Sequence, residues 1–361
     1  MTHTIIIAGG SGKRLWPKSR NRFPKFMLKV SSKNSLIKET LKRERRISPL
    51  ESILIITNKE HLSLLKKELK GFPAKNIIAE PQAKNTAAAI CLGTHIIAEK
   101  DPNGIVFIMP ADQLIEESKK IYEVLNLASL IAHIKDGLVT IGIKPTYPAT
   151  GYGYIKTGIL YKRLMAGPRY DIFRVAKFTE KPSIKKAKAF LKSKAYLWNS
   201  GMFVGKARVF LEEFKRYKPS IYSTAEKIAK SIVARGKRSK IERLYKKFQA
   251  TSIDYAVMEK SRRVYVVKAD IGWQDIGSWL SLTELLGKDR NNNTILGNHV
   301  GTGLKDSVII SDKGNLIATA GLDDIIVVQS GDATLICSKE KADDLRAITE
   351  LAEKKGLKRY L

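Results

Sequence analysis

The sequence predicts an α/β fold in which a Rossmann-like, mainly parallel sheet is covered by helices on both faces. The strand candidates are short, near-continuous apolar runs, which are typical of strands buried on both faces: residues 5–8, 53–56, 105–109 and 138–141. Stretches with helical periodicity alternate with these runs: residues 35–46, 59–69, 86–100 and 117–134. This alternation predicts a parallel sheet, because each parallel connection must cross back over the sheet.

Beyond Lys144 the alternation is less regular, and strand-like pieces are interleaved with helices. The predicted strands are residues 153–156, 173–178 and 264–269. The predicted helices are residues 184–192 and 207–216, with one or two basic surface helices in residues 222–248. In the first half of the chain, Asn85 directly precedes an alanine-rich helix start and is predicted to cap that helix.

A polar run at residues 288–293 predicts a linker, so the chain is expected to divide into residues 1–288 and 289–361. Glycine-punctuated, strand-like pieces follow the linker: residues 307–310, 316–319, 325–328 and 334–337. This spacing favours a small all-β unit, with a short left-handed β-helix as the candidate architecture. The β unit is also a candidate surface for a homodimer, and an amphipathic helix is predicted for residues 340–355.

The composition favours a folded protein with a strongly basic surface. Hydrophobic residues make up 43% of the 361 positions, which is enough to build a sizeable core. Lys and Arg number 65 against 35 Asp and Glu, and the resulting charge of +30 attracts polyanions such as phosphorylated substrates. The basic residues are spread along the chain without a nucleic-acid-binding signature, so no specific nucleic-acid partner is expected.

Several other classes of protein are disfavoured. Cys91 and Cys337 lie in apolar runs outside any metal-binding spacing, and both are expected to be buried thiols. The histidines have no second ligand at helical spacing, which argues against a zinc site. A strand begins by residue 5, and no segment has the roughly 20 apolar residues of a membrane span. We therefore expect a cytoplasmic protein without a signal peptide or membrane span.

The first strand runs directly into a glycine loop that is followed by two cations. Gly9, Gly10 and Gly12 allow the backbone to approach a phosphate closely. Lys13 and Arg14 flank the end of this loop and are candidates to neutralise phosphate charge. The spacing matches neither a P-loop nor the dinucleotide-binding fingerprint, and the loop taken alone is equally consistent with a plain tight turn.

The whole string from Gly9 to Arg20, G-G-x-G-x-R-L-x-P-x-S-R, is more informative. It resembles the nucleotidylyltransferases that make nucleoside-diphosphate sugars, and within them the mannose-1-phosphate guanylyltransferase family. Further strings recur in the order found in that family: residues 24–25, 80–81, 85–87, 110–112, 178–182, 198–203, 252–260 and 272–279. The resemblance covers about residues 1–285, and residues 316–337 also resemble the small β unit of the family.

The resemblance implies that the protein transfers GMP from GTP to mannose 1-phosphate, releases pyrophosphate and uses Mg²⁺. Arg14 would contact the triphosphate, and Lys25 would stabilise charge at the reacting phosphate. Asp112 and Asp275 would bind the magnesium ion, which prefers a few carboxylates with water and phosphate completing its shell.

The other matched positions are expected to bind the two substrates. Glu180 and Asn199 would hold hydroxyls of the sugar, because a carboxylate and a carboxamide form directional hydrogen bonds. Lys181 would hold the sugar phosphate, and Gly153 lies in a loop expected near the sugar. The nucleotide is expected to contact the glycine loop and the start of the third helix: Ala8, Gly9, Gly10, Gly12, Lys13, Asn85 and Thr86.

Four positions depart from the usual pattern of the family: Phe26, Lys84, Ala88 and Gln113. They leave open a nucleotidylyltransferase for another sugar 1-phosphate or another base. A non-catalytic regulatory relative is a second alternative, which is disfavoured because the residues expected to bind phosphate charge and metal are all present. The sequence lacks the metal-binding isomerase domain of longer bifunctional relatives, so no phosphomannose isomerase activity is expected.

Overall fold

The computed structural model describes residues 1–10, 12–30, 32–164, 170–234, 236–342 and 344–361. Three positions in predicted features lie outside the described residues: Ser11 of the glycine loop, Arg235 of the basic helices and Asp343 of the last helix. The chain forms two compact units, each assembled from several segments. Unit 1 comprises Met1–Gly9, Lys38–Ala111 and Ile115–Trp273, and unit 2 comprises Gly10–Ile37, Asp112–Leu114 and Gln274–Leu361.

The strands and helices are numbered in chain order. The strands are β1 Thr2–Ala8, β2 Ile53–Asn58, β3 Ile77–Glu80, β4 Ile105–Pro110, β5 Gln113–Ile115, β6 Leu138–Ile143, β7 Tyr154–Leu164, β8 Tyr170–Thr179, β9 Tyr196–Lys206, β10 Val264–Ala269, β11 Trp273–Asp275, β12 Thr294–Leu296, β13 Asn298–Thr302, β14 Val308–Ile310, β15 Leu316–Ala320, β16 Ile325–Ser330 and β17 Ala333–Ser338. The helices are α1 Leu36–Glu44, α2 Leu62–Glu68, α3 Asn85–Ala98, α4 Ser118–Lys135, α5 Ile184–Ser193, α6 Ala207–Tyr217, α7 Pro219–Val233, α8 Arg238–Lys246, α9 Trp279–Leu286 and α10 Leu345–Lys354. Within the described part of the chain, no helix combines the length and apolar character needed to cross a membrane.

Unit 1 is built on a nine-stranded sheet with the order β3-β2-β1-β4-β9-β6-β10-β8-β7. The pairs among β3, β2, β1 and β4 are parallel, as is the pair of β6 with β10. β9 and β8 pair antiparallel with their neighbours, so the other strands of this sheet all run in one direction. The predicted mainly parallel sheet is confirmed.

Both faces of this sheet are covered, because alternate side chains of a strand point to opposite faces. Along β4, Val106 and Ile108 enter a core that also contains residues of α3, α6 and α7. Phe107 and Met109 enter a second core, which contains residues of α4. Helices therefore pack on both faces, as the near-continuous apolar runs predicted.

The predicted cap of α3 is displaced by one residue. The helix begins at Asn85 itself, and Lys84 occupies the position before it without a side-chain capping bond. Asn85 has a left-handed backbone with φ of 63°, and its Oδ1 accepts a hydrogen bond of 2.8 Å from the backbone N–H of Thr86. Asparagine tolerates this conformation better than most residues, so its side chain supports the turn rather than capping the helix from outside.

Unit 2 contains two parallel ladders, β12-β14-β16 and β13-β15, with β17 antiparallel to β16. Successive coils that return to the same two ladders are the arrangement of a short β-helix. Its core includes Val328 and Leu345 from the C-terminal region together with Leu15 and Trp279. The unit thus draws on chain segments well before residue 289, and the division into 1–288 and 289–361 stays a prediction.

Candidate functional site

In unit 2 a buried lysine lies between two carboxylates. The Nζ of Lys25 is 2.9 Å from Asp112 Oδ2 and 2.5 Å from Asp275 Oδ1, and the lysine is only 7% exposed. Asp112 directly precedes β5 and Asp275 ends β11, and these two short strands pair with each other. Pairing of the strands therefore places two carboxylates that are far apart in sequence on one ammonium group.

The charge on Lys25 is stabilised by these two neighbours. Burial acts to lower the pKa of Lys25, but the negative charges of Asp112 and Asp275 and their hydrogen bonds outweigh it. The pKa is raised above its usual value, so the ammonium stays protonated at neutral pH. A cation held in this way is prepared to stabilise negative charge without reorganising.

The donor chemistry of Asp112 and Asp275 fits a magnesium ion. Their shared contact with the Lys25 ammonium shows that the two carboxylates lie near each other, and carboxylate oxygens are the hard ligands that Mg²⁺ prefers. Among the described residues, no group of three or more His, Cys, Asp or Glu side chains converges as a metal cage. A site with two protein carboxylates suits a magnesium ion that arrives with substrate phosphates, because Mg²⁺ is usually bound that way.

The glycine loop packs directly against this centre. Gly12 has φ of 61°, and a Cβ atom there would lie 2.3 Å from Ser19 Oγ and 2.8 Å from Lys25 Cβ. Only glycine fits such a position, because both the backbone angle and the space exclude a side chain. Arg14 is exposed, and its guanidinium lies beside Gly277, two residues after Asp275. The loop, Arg14 and Lys25 therefore belong to one local arrangement.

The end of the glycine-loop string is anchored to the β strands of unit 2. Arg20 donates from Nη1 to Asp332 Oδ1 over 2.5 Å, from Nη2 to the Ser330 carbonyl over 2.7 Å, and from Nε to the Pro17 carbonyl over 2.9 Å. Lys18 forms an ion pair of 3.4 Å with Asp312. These contacts fix the segment that lies between Arg14 and Lys25.

Unit 1 brings together the residues expected to bind the sugar. A Cβ atom on Gly153 would lie 2.5 Å from Glu180 Oε2 and 3.2 Å from Asn199 Cβ, so the glycine leaves room for both side chains. The Asn199 N–H donates to the Gly153 carbonyl over 2.8 Å. Lys181, which has a left-handed backbone with φ of 45°, places its Nζ 3.5 Å from Glu180 Oε1.

Burial raises the pKa values of two carboxylates in this group, Glu180 and Asp254. Burial, followed by the nearby charge of Asp254, raises the pKa of Glu180 to about 7, although Lys181 acts in the opposite direction. Burial also raises the pKa of Asp254. The Glu180 side chain is 10% exposed and that of Lys181 61% exposed, so the ammonium is available to an incoming phosphate. Polar groups of both signs are thus presented together, as a sugar phosphate requires.

The residues expected to contact the nucleotide are placed at strand and helix ends. Ala8 ends β1, and its carbonyl accepts a hydrogen bond of 2.8 Å from Thr57 Oγ1. Gly9 and Gly10 each have open space where a Cβ would lie.

Thr86 and Lys13, which are also expected to contact the nucleotide, have side-chain contacts of their own. In unit 1, Thr86 Oγ1 accepts a hydrogen bond of 3.0 Å from the Ile253 N–H. In unit 2, the Nζ of Lys13 lies 3.9 Å from Glu353 Oε2.

The four departures from the family pattern have different structural roles. Phe26 and Ala88 are completely buried, so their identities reflect packing. The Nζ of Lys84 donates to the Lys246 carbonyl over 3.3 Å. Gln113 begins β5, directly after Asp112. In this chain, which carries all four departures, Lys25 contacts both carboxylates.

Two structural contributions were missed by sequence reasoning. The string at residues 252–260 favours mannose and GTP by its resemblance but assigns no single residue to the site, whereas Asp254 accepts a hydrogen bond of 3.0 Å from Asn199 Nδ2. The sequence marks Arg20 only as the last residue of the glycine-loop string, whereas the structure shows that it joins that string to Asp332. In both cases the available signal was a charged residue inside a string that matches the family, because such a residue is expected to have a charged or polar partner.

Comparisons with known proteins identify the family to which the chain belongs. Residues 3–292 match the family model described as nucleotidyl transferase, and residues 297–351 match the MannoseP isomerase/GMP-like β-helix domain. The first match covers well over half of the chain. The protein therefore belongs to the nucleotidyl transferase family.

Particular members of the family resemble the chain over nearly its full length. The mannose-1-phosphate guanylyltransferase of Escherichia coli is 34% identical over 99% of this chain and 76% of its own length. That of Salmonella muenchen is 36% identical over 96% of this chain and 72% of its own length. A solved structure from Thermus thermophilus, described as a mannose-1-phosphate geranyltransferase, has a TM-score of 0.84 at 30% identity and covers 98% of this chain and 99% of its own. The resemblance to the mannose-1-phosphate guanylyltransferase family is confirmed.

Proposed function

We propose that this protein transfers GMP from GTP to mannose 1-phosphate and releases pyrophosphate. A phosphate oxygen of the sugar phosphate attacks the α-phosphorus of GTP and forms a new phosphorus–oxygen bond. The bond from the α-phosphorus to the oxygen that bridges it to the β-phosphorus breaks, and pyrophosphate leaves with that electron pair. The product is GDP-mannose.

The observation that carries the proposal is the contact of Lys25 with both Asp112 and Asp275. Displacement at a phosphate gathers negative charge on phosphate oxygens, and a fixed cation stabilises that charge. Lys25 is assigned this role, and Arg14 is assigned to the triphosphate because its planar fork suits phosphate oxygens. The Mg²⁺ ion, when bound by Asp112 and Asp275, would neutralise phosphate charge and orient the oxygens.

The sugar phosphate is assigned to the polar group of unit 1. Glu180 and Asn199 are proposed to bind hydroxyls, and Lys181 the phosphate. Gly153 is proposed to leave the space that these side chains need. The nucleotide is assigned to the chain around Gly10 and to the positions matched by sequence: Ala8, Gly9, Gly12, Lys13, Asn85 and Thr86.

Other activities make different predictions. A relative specific for another base or sugar would release pyrophosphate with a different substrate pair. A non-catalytic relative would bind nucleotide without turnover. A nucleic-acid-binding role rests only on the net charge of +30 and would appear as salt-sensitive retention on RNA. Cytoplasmic location and a homodimer also stay predictions.

The test is pyrophosphate release with Mg²⁺ from a panel of nucleoside triphosphates and sugar 1-phosphates. We expect GTP with mannose 1-phosphate to give the highest kcat/KM. Absence of pyrophosphate with that pair would reject the proposed function. A higher value for UTP or dTTP with glucose 1-phosphate would assign the protein to another specificity.

A further inference from the structure

The carboxamide of Asn199 is held in a defined orientation. Its Oδ1 accepts a hydrogen bond of 3.2 Å from the Gly201 N–H, and the Thr140 hydroxyl lies 3.0 Å from the same oxygen. Its Nδ2 donates to Asp254 Oδ1 over 3.0 Å. Asn199 as a whole is partly buried.

The partners settle which end of the carboxamide is which. A backbone N–H only donates, so the atom facing Gly201 must be the carbonyl oxygen. The other end of the carboxamide, which faces Asp254 Oδ1, is therefore the nitrogen, and it donates to that oxygen. Asp254 accepts one of the two hydrogens on Nδ2, and the amide has a second hydrogen that can be donated to a ligand.

We propose that Asp254 is a positioning residue that makes Asn199 present an N–H donor to a hydroxyl of the sugar phosphate. This inference rests on the proposed function, since it states how the enzyme recognises the hydroxyls of the sugar phosphate. Glu180, as an acceptor, would take the hydrogen of one hydroxyl, while Asn199 would donate to the oxygen of another. The pair therefore requires two hydroxyls in opposite hydrogen-bonding roles.

The local backbone explains why Asp254 can reach Asn199. Asp254 begins a five-residue π-helical turn, Asp254–Met258, and such widened turns are frequent at functional sites. The segment before it is tied to α3, because the Ala87 N–H donates to the Thr251 carbonyl over 3.1 Å. The Ile253 N–H in turn donates to Thr86 Oγ1. The string at residues 252–260 thus links positions assigned to the nucleotide with a position assigned to the sugar.

The test is a double-mutant cycle on Asp254 and Asn199, with KM measured separately for each substrate. Asp254→Ala is expected to raise KM for mannose 1-phosphate about tenfold, the scale of one hydrogen bond, and to leave KM for GTP within about twofold. Asp254→Asn keeps an acceptor oxygen and is expected to stay within about threefold of the wild type. In an Asn199→Ala background, Asp254→Ala is expected to add less than about twofold.

Two outcomes would overturn the inference. One is an Asp254→Asn variant as impaired as Asp254→Ala, and the other is full additivity of Asp254→Ala with Asn199→Ala. The thermal unfolding midpoint of each variant shows whether the variant is folded. If Asp254→Ala does not fold, Asp254→Asn takes its place in the cycle. If mannose 1-phosphate gives no turnover, the proposed function fails, and the cycle is measured by calorimetric titration with the sugar phosphate that binds. Binding of no sugar phosphate from the panel would reject both.

Discussion

The guanidinium of Arg20 donates to the carboxylate of Asp332 over 2.5 Å, across 312 positions of sequence. Arg20 is 17% exposed and Asp332 58% exposed at their side chains, so the pair lies at the edge of unit 2. The same guanidinium also binds two backbone carbonyls, those of Pro17 and Ser330. Arg20 therefore acts through three hydrogen bonds, of which the ion pair is the most exposed.

The first prediction separates these contributions. Arg20→Ala is expected to lower the free energy of unfolding by about 2–3 kcal/mol, because the Ser330 and Pro17 carbonyls lose their donor. Asp332→Asn removes only the charge from the exposed member of the pair, and we expect a clearly smaller loss of the free energy of unfolding than for Arg20→Ala. Urea unfolding of both variants measures the difference. A loss for Arg20→Ala no larger than that for Asp332→Asn would show that the carbonyl bonds contribute nothing.

The second prediction concerns Lys25. Lys25→Ala is expected to lower kcat by roughly 100-fold or more, the usual scale for losing a charge contact made in the transition state. Lys29→Ala is the matched control, because Lys29 is an exposed lysine four positions away, and we expect kcat within about twofold of the wild type. Steady-state pyrophosphate release measures both. Near-wild-type turnover of Lys25→Ala would remove this residue from the mechanism.

The third prediction concerns the metal. Asp275→Ala is expected to abolish activity together with its dependence on Mg²⁺ concentration, because one of two carboxylate ligands is lost. Asp270→Ala, at an exposed aspartate five positions earlier, is the control and should retain the wild-type Mg²⁺ dependence. Magnesium titrations of pyrophosphate release make the comparison. An active Asp275→Ala variant with an unchanged magnesium midpoint would contradict the ligand assignment.

The fourth prediction concerns the pH dependence of stability. Burial raises the pKa of Glu80 from 4.5 to about 7, although a hydrogen bond from Tyr245 acts to lower it. The folded protein thus holds this proton more tightly than the unfolded chain does. The stabilisation is fully present below about pH 4.5 and is lost as pH rises through about 7.

Glu80→Gln should therefore flatten the decline in stability between pH 4.5 and 7, the window set by the two pKa values. The decline in the free energy of unfolding that this substitution removes is on the order of 3 kcal/mol over that window. Glutamine keeps a carbonyl oxygen to accept from the Tyr245 hydroxyl, so the substitution isolates the titration. Unfolding free energies measured across this pH range provide the test, with Glu60→Gln on the surface as control. An unchanged slope in Glu80→Gln would mean that Glu80 is ionised throughout.

Much of unit 1 could be predicted from the sequence, because local patterns determine which segments are strands and which are helices. The apolar runs at β1, β2, β4 and β6 all formed strands of one sheet. The predicted cap of α3 is one residue off, because helical periodicity does not show that Asn85 has a left-handed backbone. The matched strings also predict that Lys25, Asp112 and Asp275 act together, and the structure places the three side chains in contact.

The sequence by itself therefore determined the class of fold, the family and the residues that carry charge, because these depend on residue type and order. Only the tertiary structure decided which distant residues meet. Nothing in the sequence says that Leu15 shares a core with Val328 and Leu345, since apolar side chains attract without naming a partner. Nor does it say that Asp254 orients Asn199, because a hydrogen bond depends on distance and angle, which exist only after the strands and turns have packed.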